Sequence, residues 1–119
     1  MANLTAAEVL SQVDTLLPNQ YTAAEKLRWL AQAEGFVKRE ILRENGPLSE
    51  LQADTVLSVP APYDEMYRYY VEAQIHYANA EMTRYNNAST AWNNAFLTYR
   101  DYCSRTVTPQ CDVKALHLC

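Results

Sequence analysis

The stretch Val59–Thr106, VPAPYDEMYRYYVEAQIHYANAEMTRYNNASTAWNNAFLTYRDYCSRT, holds eight of the nine tyrosines of the chain and no glycine. Beyond Pro62, Tyr63, Tyr67, Tyr70, Gln74, Tyr77, Glu81, Tyr85, Ala88, Trp92, Ala95, Tyr99 and Tyr102 follow one another in steps of three or four. That spacing lines one face of a helix. A tyrosine face differs from a leucine face, because each ring buries a large apolar body while its hydroxyl still needs a partner. It suits a half-wet protein–protein contact, and equally the core of a small helical domain. Pro62 opens this helix, with Asp64 and Glu65 at the positive end of its dipole. Unbroken to Arg105 it would run roughly 60 Å at about 1.5 Å per residue. Asn86, Asn87, Ser89 and Thr90 are weak helix formers and good caps, so an interruption is expected there.

Upstream, two capping boxes mark two more helices. Thr5-Ala6-Ala7-Glu8 precedes Val9, Leu10, Val13, Leu16 and Leu17 on one face, and Pro18 ends that run. Thr22-Ala23-Ala24-Glu25 repeats the box ahead of Leu27, Leu30, Ala31, Val37 and Ile41, with Trp29 and Phe36 widening the stripe. This second helix is expected to reach Asn45, with Glu34 and Lys38 as an i,i+4 pair in the favoured order and Gly46-Pro47 as its stop. Between the second helix and the tyrosine stretch, Thr55–Val59 is β-branched and reads as extended; Pro60 and Pro62 hold Val59 and Ala61 out of the helical region. The fold expected is therefore all-α: a small helical domain over residues 1–105 with one long C-terminal helix, and an extended C-terminal tail over 106–119 broken by Pro109.

At 119 residues and a net charge of −4, the chain has the length of one domain and no general field favouring nucleic acid or an anionic membrane. The basic cluster Lys38, Arg39, Arg43 sits where cations complement a helix C-terminus. No apolar run approaches the ~18 residues of a membrane span, and the start of the chain does not read as a signal peptide. Synthesis in a reducing cytoplasm follows as the expectation. Two glycines cannot build a phosphate loop or a dinucleotide fingerprint. His76 and His117 lie far apart, and His76 reads as a satisfied surface or interface residue. Cys103, Cys111 and Cys119 are odd in number and match no disulfide or zinc spacing. No cofactor, no metal and no catalytic residue is expected, and the chain does not read as an enzyme.

Three blocks carry a resemblance: PNQYTAAEKLRWL (Pro18–Leu30), PYDEMYRYYVEAQIHYANAEMTRYNNA (Pro62–Ala88) and SRTVTP (Ser104–Pro109). Together they resemble the small head–tail connector, or head-completion adaptor, proteins of long-tailed double-stranded DNA phages and prophages. The resemblance implies a largely helical structural subunit of the virion, made in the bacterial host. It implies a homo-oligomeric ring beneath the portal protein that completes the DNA-filled head and docks a stopper or tail-completion protein. DNA would pass through such a ring without sequence-specific contact. The alternatives are a small helical protein–protein binding module or regulator with no virion role, and a nucleic-acid binder using Lys38–Arg43 with Trp29 as a stacking ring, which the acidic balance disfavours. For assembly, the candidate interface is the outer side of the long helix at Tyr69, His76 and Arg84, together with Arg105, Thr106 and Pro109 at the start of the tail.

Overall fold

Both capping boxes close as the sequence requires. The computed structural model describes residues 3–43 and 51–107. In it the Thr5 hydroxyl accepts the Glu8 N–H at 3.3 Å, and the Glu8 carboxylate accepts the Thr5 N–H at 2.8 Å. Thr22 and Glu25 repeat the exchange at 3.2 and 3.1 Å. The helices that follow are α1 (Ala6–Leu16) and α2 (Ala23–Phe36). Two more, α3 (Glu65–Ala78) and α4 (Met82–Val107), complete an all-α domain.

α2 does not end at Phe36 but widens into a π-helical turn over Val37–Ile41, in which the Leu42 N–H reaches back to the Val37 carbonyl at 3.0 Å. The expected stop at Gly46-Pro47 lies outside the described residues. The expected i,i+4 pair of Glu34 and Lys38 does not form, because Glu34 turns into the core and is 5% exposed. The segment before α3 is extended over Thr55–Val59 as expected and, among the described residues, makes one antiparallel bridge, between Val56 and Thr5. Its carbonyls have a use. Thr55 and Ala53 accept the N–H groups of Ala6 and Ala7, both at 2.9 Å, so it satisfies donors that the first turn of α1 leaves without helical partners.

The long C-terminal helix is α4, 26 residues. The interruption in the tyrosine stretch falls at Asn79–Glu81, not at Asn86–Thr90, and it reverses the chain. Glu81 N–H bonds the His76 carbonyl at 2.9 Å, Ala80 N–H bonds the Tyr77 carbonyl at 3.0 Å, and Ala80 has φ 60°. This is the six-to-one and five-to-two pattern of a Schellman stop, with alanine where glycine is usual. Asn86–Thr90 runs through as helix, and within it the Thr90 hydroxyl donates to the Asn86 carbonyl at 2.9 Å.

The reversal folds the tyrosine face onto itself. Tyr77 meets Tyr85 at 5.2 Å between ring centroids, Tyr70 meets Trp92 at 5.0 Å, and Tyr63 meets Tyr99 at 5.4 Å. On each side of the turn these rings recur every seven residues, and each of the three pairs is symmetric about Glu81. The face thus forms the seam of an antiparallel hairpin, in which Tyr99 is buried, Tyr63, Tyr70, Tyr85 and Trp92 are half-buried and Tyr77 is 60% exposed. Such ring pairs add about 0.5–1.5 kcal/mol each beyond their buried area.

α3 is the centre of the domain. Met66, Tyr67, Val71 and Ile75 are fully buried, against Val9 and Val13 of α1, Leu30 and Val37 of the α2 arm, and Leu57 and Val59 of the extended segment. α4 gives this core one buried residue, Tyr99. A buried Lys26 ammonium ties α2 to α1 through Asp14 at 2.6 Å.

Two predictions follow from these local geometries. A left-handed alanine costs free energy that glycine does not incur, so Ala80→Gly is expected to stabilise the fold by about 0.5–1 kcal/mol, read as a rise in thermal midpoint. At Asp14, burial raises the carboxyl, but hydrogen bonds from Lys26 and Asn19 outweigh it and hold the group below its ordinary value. A depressed carboxyl stabilises the fold above its unfolded pKa, and that contribution is lost as pH falls through the folded pKa. Asp14→Asn is therefore expected to cost about 1–2 kcal/mol at pH 7, discounted because half the carboxylate faces water. The gap to wild type should begin to narrow in denaturant titrations as pH falls below about 4, and close once pH has passed the depressed folded value.

Candidate interface groove on the helical hairpin

Two places in the molecule gather polar chemistry, one inside and one outside. The inner one is Glu34. Its carboxylate accepts the Ser58 hydroxyl at 2.7 Å and the Ser58 N–H at 3.1 Å, and it accepts the Tyr67 hydroxyl in a short hydrogen bond. The Tyr67 oxygen in turn accepts the Val59 N–H at 3.2 Å. Burial, and then the negative charge of Glu34, push the Tyr67 phenol far above its ordinary value. The phenol therefore stays protonated and acts as a donor. Every partner is supplied from within the fold, and none of the described hollows opens onto Glu34. The cluster is a clamp holding the extended segment against α2 and α3.

The outer place is a groove along the α3–α4 seam. Glu65, Tyr69, Glu72 and His76 lie on one stripe of α3. One hollow of about 290 Å³ lies between Tyr69, Glu72 and His76 of α3 and Arg84, Asn87, Ala88 and Ala91 of α4. A second, of about 280 Å³, lies between Pro62, Tyr63, Glu65 and Tyr69 on one side and Ala95 and Thr98 on the other. The two share Tyr69, so they form one track along the hairpin. The alanines keep its α4 wall low.

Its polar groups are held in place. Arg68 sits 4.8 Å from the centroid of the Tyr69 ring and reaches Glu72 at 3.2 Å and Glu65 at 3.8 Å. The Tyr69 hydroxyl donates to Glu65 at 3.0 Å, which raises its phenol, with burial adding to the shift. At the turn, His76 Nδ1 lies 2.8 Å from the Glu81 carboxylate, and this hydrogen bond holds the Glu81 carboxyl below its ordinary value. The Tyr21 hydroxyl donates to Asn79, pinning the turn to the start of α2. Arg84 is exposed at the groove end.

Of the candidate interface residues, Tyr69, His76 and Arg84 are brought together in this groove. His76 is 8% exposed and shows the groove only its edge. Arg105 is exposed in the last turn of α4, about 31 Å along the helix from Arg84 at ~1.5 Å per residue. Thr106 is in that same turn, so the helix runs two residues past the expected start of the tail at 106. Pro109 lies outside the described residues. Sequence reading missed Glu34, Ser58 and Tyr67 as a unit. A signal existed: Leu27, Leu30, Glu34, Val37 and Ile41 step along one helix stripe, which puts Glu34 on the apolar face.

Among the described residues, no group of three or more His, Cys, Asp or Glu side chains is placed to hold a metal ion, and no helix is long and apolar enough to cross a membrane. Comparison with protein-family models, with curated proteins and with solved structures returns no match for this chain.

Tyr67→Phe deletes one donor to Glu34 and leaves the buried Val59 N–H without its acceptor. It is expected to lower stability by about 2–4 kcal/mol in urea unfolding, while Glu34→Leu/Tyr67→Phe together costs less than the sum of the two single changes.

Proposed function

We propose that the protein is a non-catalytic structural subunit of a phage or prophage head–tail connector. It forms a ring below the portal protein, completes the DNA-filled head and docks the stopper or tail. The observation that carries this reading is the outer groove, in which Tyr69, His76 and Arg84, chosen from the sequence as an assembly face, line one track on an exposed side of the hairpin. Three further features support it. The Pro18–Leu30, Pro62–Ala88 and Ser104–Pro109 blocks resemble that family. The domain is all-α. The polar clusters found serve packing and surface presentation. On this reading the protein is made in the bacterial cytoplasm and resides at the head–tail interface of the virion. DNA meets it without sequence preference, in keeping with its acidic balance.

The second reading is a small helical binding module with no virion role, and the same groove would serve it. The two separate on DNA-filled, portal-bearing capsids that lack tails. A connector is expected to co-sediment with these capsids at a fixed stoichiometry and to leave portal-less shells unbound. Deleting residues 108–119, which lie beyond α4, is expected to leave helical content and melting temperature nearly unchanged while weakening that attachment. Absence of capsid binding by the full chain would decide for the second reading.

A further inference from the structure

We propose that the α3–α4 groove of one copy receives the basic edge of α2 and its π-helical turn from a second copy, in a head-to-tail contact. The proposal deepens the ring reading above and rests on it in one respect, that copies of the chain associate.

The two surfaces lie on opposite sides of the hairpin. α2 packs on the hairpin through the hydrogen bond between Tyr70 and Gln32 at 2.8 Å and through Phe36 against Tyr70 and Trp92. On α3, the stripe Tyr67, Tyr70, Gln74 is about 160° round the helix from Glu65, Tyr69, Glu72, His76, at ~100° per residue. A subunit therefore cannot cover its own groove with its own α2. A contact between two different faces repeats from copy to copy, which a ring needs.

Charge selects this pairing over a symmetric one. The outer edge of α2 and the π turn carries Arg28, Lys38, Arg39 and Arg43, against Glu25 and Glu40. The groove and its turn carry Glu65, Glu72 and Glu81, against Arg68 and Arg84. Groove against groove would bring these carboxylates together, and edge against edge would do the same with the cations. Edge into groove opposes unlike charge, which sets register and rejects the alternatives.

Burial is also inexpensive on the α4 wall. From Tyr85 to Asn94 and on to Tyr99 α4 has no charged side chain, so covering it strips water from amides, hydroxyls and alanines but from no ion. The alanines Ala88, Ala91 and Ala95 admit the close approach of a helix. Three residues before Arg39, Phe36 packs one side of its ring on its own hairpin and is still 48% exposed, which leaves aromatic area for the second copy to cover.

The test uses the full chain, alone at high concentration and on portal-bearing, tail-less capsids. A photo-crosslinking benzoylphenylalanine replaces Phe36, and isotopically heavy and light copies are mixed so that links between copies are identified by mass. Links between copies from position 36 to peptides spanning 65–76 or 84–98 are expected. Arg39→Glu is expected to weaken self-association by about tenfold, as is Glu65→Lys, and the two changes in one chain to restore it. Circular dichroism of each variant verifies that it is folded. If the copies associate but link elsewhere, and the double variant fails to restore, the proposed contact is wrong while ring assembly stands. If no association occurs in either setting, the assembly reading falls and this contact with it.

Discussion

A buried carboxylate organises this domain. Glu34 projects from α2 into the core, and its oxygens are occupied by the hydroxyl of Tyr67 on α3 and by the hydroxyl and N–H of Ser58. An ion in that position is costly unless its hydrogen bonds are complete. Completing them fixes three elements at once. The segment held at Ser58 and Val59 is the one whose carbonyls cap α1 at Ala6 and Ala7. α1 therefore depends on Glu34 at second hand, through a strap that has almost no regular structure of its own. The apolar residues Leu57 and Val59 enter the core because their backbone is anchored there.

The sequence made the class and most of the local structure legible, and each misreading has a physical cause. Thr5–Glu8 and Thr22–Glu25 were readable because a capping box depends only on neighbours in the chain. The hairpin turn was not, because its usual mark is glycine and this chain places Ala80 in the left-handed position. Asn86–Thr90 drew the break instead, on propensities that tertiary packing overrode. The symmetry that would have revealed the turn is present: aromatic residues recur every seven positions on both sides of Glu81, and a straight helix has no use for a mirror. Glu34 illustrates a different failure. Its spacing to Lys38 was real, but so was its place on the apolar stripe, and burial outranks a surface pair whose worth is a few tenths of a kcal/mol.

The candidate site was legible where it depended on helical register alone. Tyr69, His76 and Arg84 share a groove because the first two are seven apart on α3 and the turn after Ala78 carries the third round to face them. What could not be read was the depth of each residue. His76 is nearly covered because it also closes the turn through Glu81, and Arg105 stands apart because α4 is nearly twice the length of α3, 26 residues against 14.

That difference in length bears on what the hairpin is for. A helix that, among the described residues, contributes one buried residue to the core gains little from being 26 residues long, since helices this polar are held chiefly by what they pack against. Tyrosine resolves part of the difficulty. Tyr63, Tyr70 and Tyr77 give α4 a seam of rings, while the hydroxyls of Tyr67, Tyr69 and Tyr70 turn aside to Glu34, Glu65 and Gln32. One helix, α3, thereby serves surroundings that are dry on one side and wet on another. Leucines at these positions would bury as well but would leave Glu34 and Gln32 short of donors, and the clamp on the strap would fail. The same arrangement leaves α4 without a charged side chain from Tyr85 to Tyr99, and its outer residues there exposed or half-buried. With no acidic or basic residue of its own from Tyr85 to Tyr99, α4 presents there a surface that another helix can cover without desolvating a charge of this stretch.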